Sequence, residues 1–242
     1  MRQLVHRSLL VAAVAFILAA PTANATPWVA TASGTGSDGA LSAEADFTFG
    51  AGTLTIVITN TLSASSIVSV GQTVSDLIFS LGSAPGALGT TTATGTFATF
   101  SGTTTPTTAP GSPTRWLGVG GGSFSIVNNT ITLESIGGGQ PDQLILPLGT
   151  TYPAANKGSI QKGQFDPFVD GPATFTLALS GVTANTTLTD VSFSFGTGPD
   201  ESLSGLITPP KVPTVPVPEP STLALMGAVL LAWCGVRRLK RA

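Results

Sequence analysis

The sequence predicts an all-β protein whose exported body is a single β-sandwich-like domain. Three observations predict it. Apolar and polar residues alternate with a period of two in one run after another, as in Leu41, Ala43, Ala45, Phe47 and Phe49 against Ser42, Glu44, Asp46 and Thr48, the pattern of a strand with one face buried. The runs are short and are separated by Gly, Pro and Asn clusters, so they must cover one another's apolar faces as stacked sheets. Between Thr26 and Thr208 no stretch combines helical periodicity with helix caps.

The first 25 residues stand apart from this pattern. Arg2, His6 and Arg7 precede an apolar stretch from Leu9 to Ala20, and Ala23-Asn24-Ala25 supplies a small-x-small site. Residues 1–25 therefore read as a secretory signal peptide, removed by signal peptidase between Ala25 and Thr26. The apolar stretch ends at Pro21 and falls short of the roughly 20 residues a permanent anchor needs.

Residues 26–208 form the predicted domain. The run Leu41–Phe49 is followed by Gly50-Ala51-Gly52 and by a second alternation through Leu54, Ile56 and Ile58, which together predict a hairpin. Further strands are expected over Val74–Leu81, Thr94–Phe100, Ser123–Val127, Thr130–Ile136 and Gln143–Leu148, then around Phe175, Leu177 and Leu179 and around Val191, Phe193 and Phe195. Residues 101–114, SGTTTPTTAPGSPT, are low in complexity and read as an exposed loop. A domain of this length can bury roughly 70% of its unfolded surface.

Residues 209–217 begin a proline-rich spacer, and the segment Pro209–Pro220 holds six prolines. At about 3.1 Å per residue such a segment is stiff and extended. Residues 218–242 then comprise three pieces: Pro218-Glu219-Pro220, an apolar run from Leu223 to Val236, and the cations Arg237, Arg238, Lys240 and Arg241. As a helix the run rises about 21 Å against a hydrocarbon core of about 30 Å. It has no polar face, unlike a buried core helix, and the four cations act as a stop-transfer signal that stays cytoplasmic. The tail therefore reads as a short transmembrane helix.

These residues resemble the PEP-CTERM sorting signal of Gram-negative bacteria: a Pro-Glu-Pro motif, Ser221-Thr222, a Leu/Ala/Gly-rich helix and an arginine-rich end. Two body segments, GSDGALSAEADFTFGAGTLTIVITNT and FTLALSGVTANTTLTDVSFSFGTGPD, are similar to parts of other surface proteins of that class. The resemblance implies a transient anchor that an exosortase cleaves near Pro218-Glu219-Pro220, with Glu219 as a recognition element. It also implies a destination at the cell surface or in an exopolysaccharide matrix or biofilm, and a structural or adhesive role there.

Composition narrows the chemistry of the body. The one histidine, His6, lies in the signal peptide, and the one cysteine, Cys234, lies in the tail. Between Thr26 and Pro220 there are four basic and twelve acidic residues, a net charge of −8, which excludes nucleic acid as a natural partner. Triads built on His or Cys, and ordinary zinc sites, lack their residues. Gly118-Val119-Gly120-Gly121-Gly122 and Gly137-Gly138-Gly139 open no helix and no Lys-Ser/Thr follows them, so they read as flexible connections rather than phosphate loops. No disulfide can form within the domain.

Paired carboxylates remain. Asp166 and Asp170, in Phe165-Asp166-Pro167-Phe168-Val169-Asp170-Gly171, are the foremost pair and Asp200-Glu201 the second. Either could serve a glycoside hydrolase or supply oxygen ligands to calcium, while Asp-Pro and Asp-Gly are equally ordinary turn formers. The expectation is a protein without enzymatic activity or resident cofactor, no assigned metal and a structural or adhesive role. A carbohydrate-binding sandwich, calcium-assisted, is the alternative, and a surface hydrolase the third reading.

Overall fold

A computed structural model describes residues 27–156, 158–198 and 201–211. The expected signal peptide, with Ala23, Ala25 and Thr26, lies outside the described residues, as do Asp200 and the tail from residue 212 onward. The described residues form fourteen strands: β1 (Trp28–Gly36), β2 (Gly39–Gly50), β3 (Thr53–Asn60), β4 (Val74–Leu81), β5 (Leu88–Thr99), β6 (Thr107–Gly111), β7 (Ser123–Val127), β8 (Thr130–Glu134), β9 (Ile145–Leu146), β10 (Phe168–Asp170), β11 (Ala173–Leu179), β12 (Leu188–Phe195), β13 (Glu201–Ser204) and β14 (Leu206–Thr208). The all-β expectation is met.

The strands hydrogen-bond along one continuous path, β13-β12-β4-β9-β10-β5-β11-β3-β2-β1-β14. That path folds into two layers because two stretches of chain pass from one layer to the other. The first half of β5 pairs with β11 through Thr94, and its second half, from Gly95, pairs with β6 and β10. At the other end only Gly205 separates β13, which pairs with β12, from β14, which pairs with β1. A β-carbon on Gly205 would stand 3.1 Å from Val191 Cβ and 3.2 Å from the Phe193 ring, so glycine suits the corner where backbone and core meet.

One layer holds β14, β1, β2, β3, β11 and the start of β5. The other holds β13, β12 and β4, and beyond β4 it divides into a β8-β7 branch and a β9-β10-β5-β6 branch. A short 3-10 turn at Thr114–Leu117 lies near both branches and brings buried Trp116 to 5.6 Å from the Phe175 ring of β11. The period-two alternation explains the main core. Phe47 of β2 and Phe79 of β4 meet edge to face with centroids 5.0 Å apart, joining the two layers.

A second cluster occupies the opposite face of the β9-β10-β5 branch. Ile145 and Val169 belong to the main core, while their neighbours Leu146 and Phe168 pack with Phe100, Tyr152 and Ile160. Strands covered on both faces carry no alternation, which is why Phe168–Asp170 reads as a turn yet forms β10 between β9 and β5. The expected exposed loop over 101–114 is corrected in part. Thr107–Gly111 pairs with β5 as an edge strand, where threonine favours extension and Pro110 is tolerated.

Candidate functional site

The two carboxylates expected to act as a pair have separate backbone partners at the two ends of β10. Asp166 Oδ2 accepts the Phe100 N–H at 2.8 Å. Burial pushes its carboxyl above the ordinary range, and the Phe100 N–H works against that rise. Asp170 Oδ1 accepts the Tyr152 hydroxyl at 2.6 Å and the Gly149 N–H at 3.0 Å. Burial, with Asp170 beside it, holds the Tyr152 phenol far above its usual range. Both aspartates thus tie the long β9–β10 connection onto the sheet. Of the second expected pair, Glu201 accepts the Ser37 N–H through Oε1 at 2.6 Å. Hydrogen bonds from Ser37 lower its carboxyl below the usual range.

Glu201 also borders the concave part of the surface. A cavity of about 320 Å³ lies among Thr35, Ser37, Leu41, Ser202 and Leu203, and a second of about 220 Å³ extends on its other side to Asp38, Val70 and Phe195. Asp38 accepts the Ser69 hydroxyl there. Among the described residues no basic side chain lines either cavity. No group of three His, Cys, Asp or Glu side chains that could hold a metal ion occurs among the described residues.

The glycine runs have a different task from phosphate binding. Arg115, buried with 3% exposure, donates from Nε to the Ser135 carbonyl, from Nη1 to that of Gly120 at 2.7 Å, and from Nη2 to that of Gly138 at 3.3 Å. The two runs therefore close around a cation of their own chain. Gly121 has φ +103°, and a β-carbon on it would overlap the Gly138 carbonyl, so a side chain would pry the loops apart. Asp142 Oδ1 approaches Arg115 Nε at 3.6 Å. Burial raises the Asp142 carboxyl and Arg115 opposes that shift.

A further carboxylate pair escapes a reading by sequence. Asp76 of β4 stands opposite Glu134 of β8 in the ladder, with Ser194 of β12 on its other side. Asp76 is 4% exposed and its Oδ1 lacks a hydrogen-bond partner. The two acids are 58 positions apart in sequence, so only the strand register joins them. The available signal is the one charged residue within the largely apolar run Val74–Leu81.

No helix among the described residues is long and apolar enough to cross a membrane. No curated protein and no solved structure matches the chain. A protein-family model for the PEP-CTERM protein-sorting motif does match, over residues 216–238. The match covers Pro218-Glu219-Pro220, the apolar run and the first two terminal arginines, and the motif implies exosortase-dependent sorting of an exported, membrane-anchored precursor. Residues 216–238 thus carry a PEP-CTERM protein-sorting motif.

Proposed function

We propose that the all-β body is the cargo of this sorting route and has a structural or adhesive role at the cell surface, in association with exopolysaccharide. Signal peptidase cleaves before Thr26, and the apolar run Leu223–Val236 holds the precursor in the inner membrane. Arg237, Arg238, Lys240 and Arg241 fix its cytoplasmic end, and the exosortase then cuts near Pro218-Glu219-Pro220. The sorting motif carries this reading. A role without catalysis is supported by the use of Asp166, Asp170 and Glu201 as acceptors for the chain's own donors. Intact-mass measurement of protein released from the surface tests the processing: a chain starting at Thr26 and ending between Pro218 and Thr222 is expected. Surface material that still carries Trp233 and the terminal arginines would overturn it. Co-fractionation of the released protein with the exopolysaccharide tests the role.

A further inference from the structure

The outward face of the first layer carries threonines in register. Thr48 pairs with Thr55, Thr55 with Thr176, and Thr176 with Thr92, so one row of hydroxyls crosses β2, β3, β11 and β5. The neighbouring row runs Asp46, Val57, Thr174 and Thr94. Strands lie about 4.8 Å apart, so the four-threonine row spans about 14 Å, and the second row follows about 6.8 Å along the strands.

Three properties of this face narrow what fits it. Thr92 and Thr94 are exposed and Thr48, Thr55, Thr174 and Thr176 half-buried. Among the described residues, threonine hydroxyls with side-chain or backbone partners lie elsewhere, as at Thr73, Thr130 and Thr186. The face is also without cations: of the described bases, Arg115 is in the 3-10 turn, Lys162 in the β9–β10 connection and Lys211 beyond β14. Glu44 and Asp46 add negative charge on its β2 side. Third, Phe47, Phe49 and Phe175 of the same strands point into the core, so ring stacking is not available here. The face meets a partner through hydrogen bonds and repels anions.

We propose that this threonine face is the surface on which an extended, uncharged polysaccharide chain lies, an inference that rests on the exopolysaccharide association proposed above. Each hydroxyl both donates and accepts, as a polyol requires. Threonine is stiff at χ1, so the rows are ordered before binding and lose little entropy when a chain settles on them. The row direction, across the strands, gives one threonine hydroxyl for each strand crossed, with a second beside it on β11 and on β5.

Affinity gel electrophoresis of the full-length protein tests the inference, with hydroxyethyl cellulose as neutral probe and alginate as anionic probe. The replacement Thr55→Val with Thr92→Val and Thr176→Val keeps shape and strand preference while removing three hydroxyls, and the matching triple Thr→Ser change keeps the hydroxyls. The wild-type and serine proteins are expected to be retarded by the neutral glucan and not by alginate, and the valine protein to bind about tenfold or more weakly. Equal retardation of the valine protein would overturn the assignment of this face while leaving the exopolysaccharide reading intact. Retardation by alginate in place of the glucan would overturn the uncharged ligand. Retardation by neither would overturn the inference, and co-fractionation with the native matrix would then decide the broader reading separately.

Discussion

Asp76 and Glu134 face each other across the β4–β8 ladder as register partners, with Asp76 almost fully buried. Burial first, and the negative charge of Glu134 second, raise the Asp76 carboxyl to about 7, against the pull of Ser194 and the Ile136 N–H. Burial raises Glu134 as well. A carboxyl whose affinity for a proton rises on folding stabilises the fold where both states are protonated and loses that contribution as pH climbs towards its folded value. Stability is therefore expected to fall between about pH 4 and pH 7, by at most about 1.4 kcal/mol per pH unit from this group. Denaturant midpoints measured at pH 5 and pH 8 check it. Asp76→Asn should flatten the slope and be the more stable protein at pH 8. An unchanged slope would show that the pair does not govern it.

Arg115 should be among the most costly side chains to remove. Its guanidinium satisfies carbonyls from two glycine loops and from Ser135. Arg115→Met leaves the buried Ser135 carbonyl, the loop carbonyls of Gly120 and Gly138, and Asp142 without their partner. A loss of about 1–3 kcal/mol is expected from urea unfolding. Gly121→Ala should destabilise by separating the same loops. The double variant should lose less than the two single changes added together, because both break one cradle.

Tyr152→Phe tests how the long β9–β10 connection is fastened. The hydroxyl donates to Asp170, while the ring packs edge to face on Phe100 at 5.5 Å. The substitution keeps the ring and removes the bond, for a loss of about 1–2 kcal/mol. Amide exchange should quicken in the connection and stay unchanged in β2 and β3, whose core is separate. Uniform acceleration would mean that the connection does not open on its own.

The parts of this architecture that a sequence can disclose are those with one wet face. Val74–Leu81 and Ser123–Val127 match β4 and β7 to the residue, and Leu41–Phe49 lies within β2. Strands without that signature were hidden for physical reasons. Phe168–Asp170 is buried on both faces and bounded by Asp-Pro and Asp-Gly, so its neighbours spell a turn. Trp28–Gly36 presents small alanines inward, a weak contrast with its serines and threonines. β13 and β14 are short and interrupted by Gly205, whose corner makes sense only once β12 and β1 are in place. The glycine runs could be denied a phosphate role from sequence, but their arginine guest could not be named, because its contacts come from two separate connections that only the fold brings together. Asp76 and Glu134 were missed for the same reason, since register is a property of paired strands.

Asp166 and Asp170 bear on whether the body catalyses anything. A glycosidase needs two carboxyls free to act on a substrate from opposite sides of one bond. Here Asp166 holds the Phe100 N–H, and Asp170 holds the Tyr152 hydroxyl and the Gly149 N–H. Asp170→Ala would leave the part-buried Gly149 N–H without its acceptor and the Tyr152 hydroxyl with only the Pro147 carbonyl, and should cost about 1–2 kcal/mol. Asp166→Asn keeps an acceptor for Phe100 and should cost less. The two variants are expected to differ in stability and to match wild type in glycan cleavage, measured as reducing ends released from neutral and anionic polysaccharides, with all three at the background of buffer alone. Release by the wild type that disappears in Asp166→Asn, with its unfolding midpoint unchanged, would reassign the pair from fastening a loop to chemistry and make the body an enzyme.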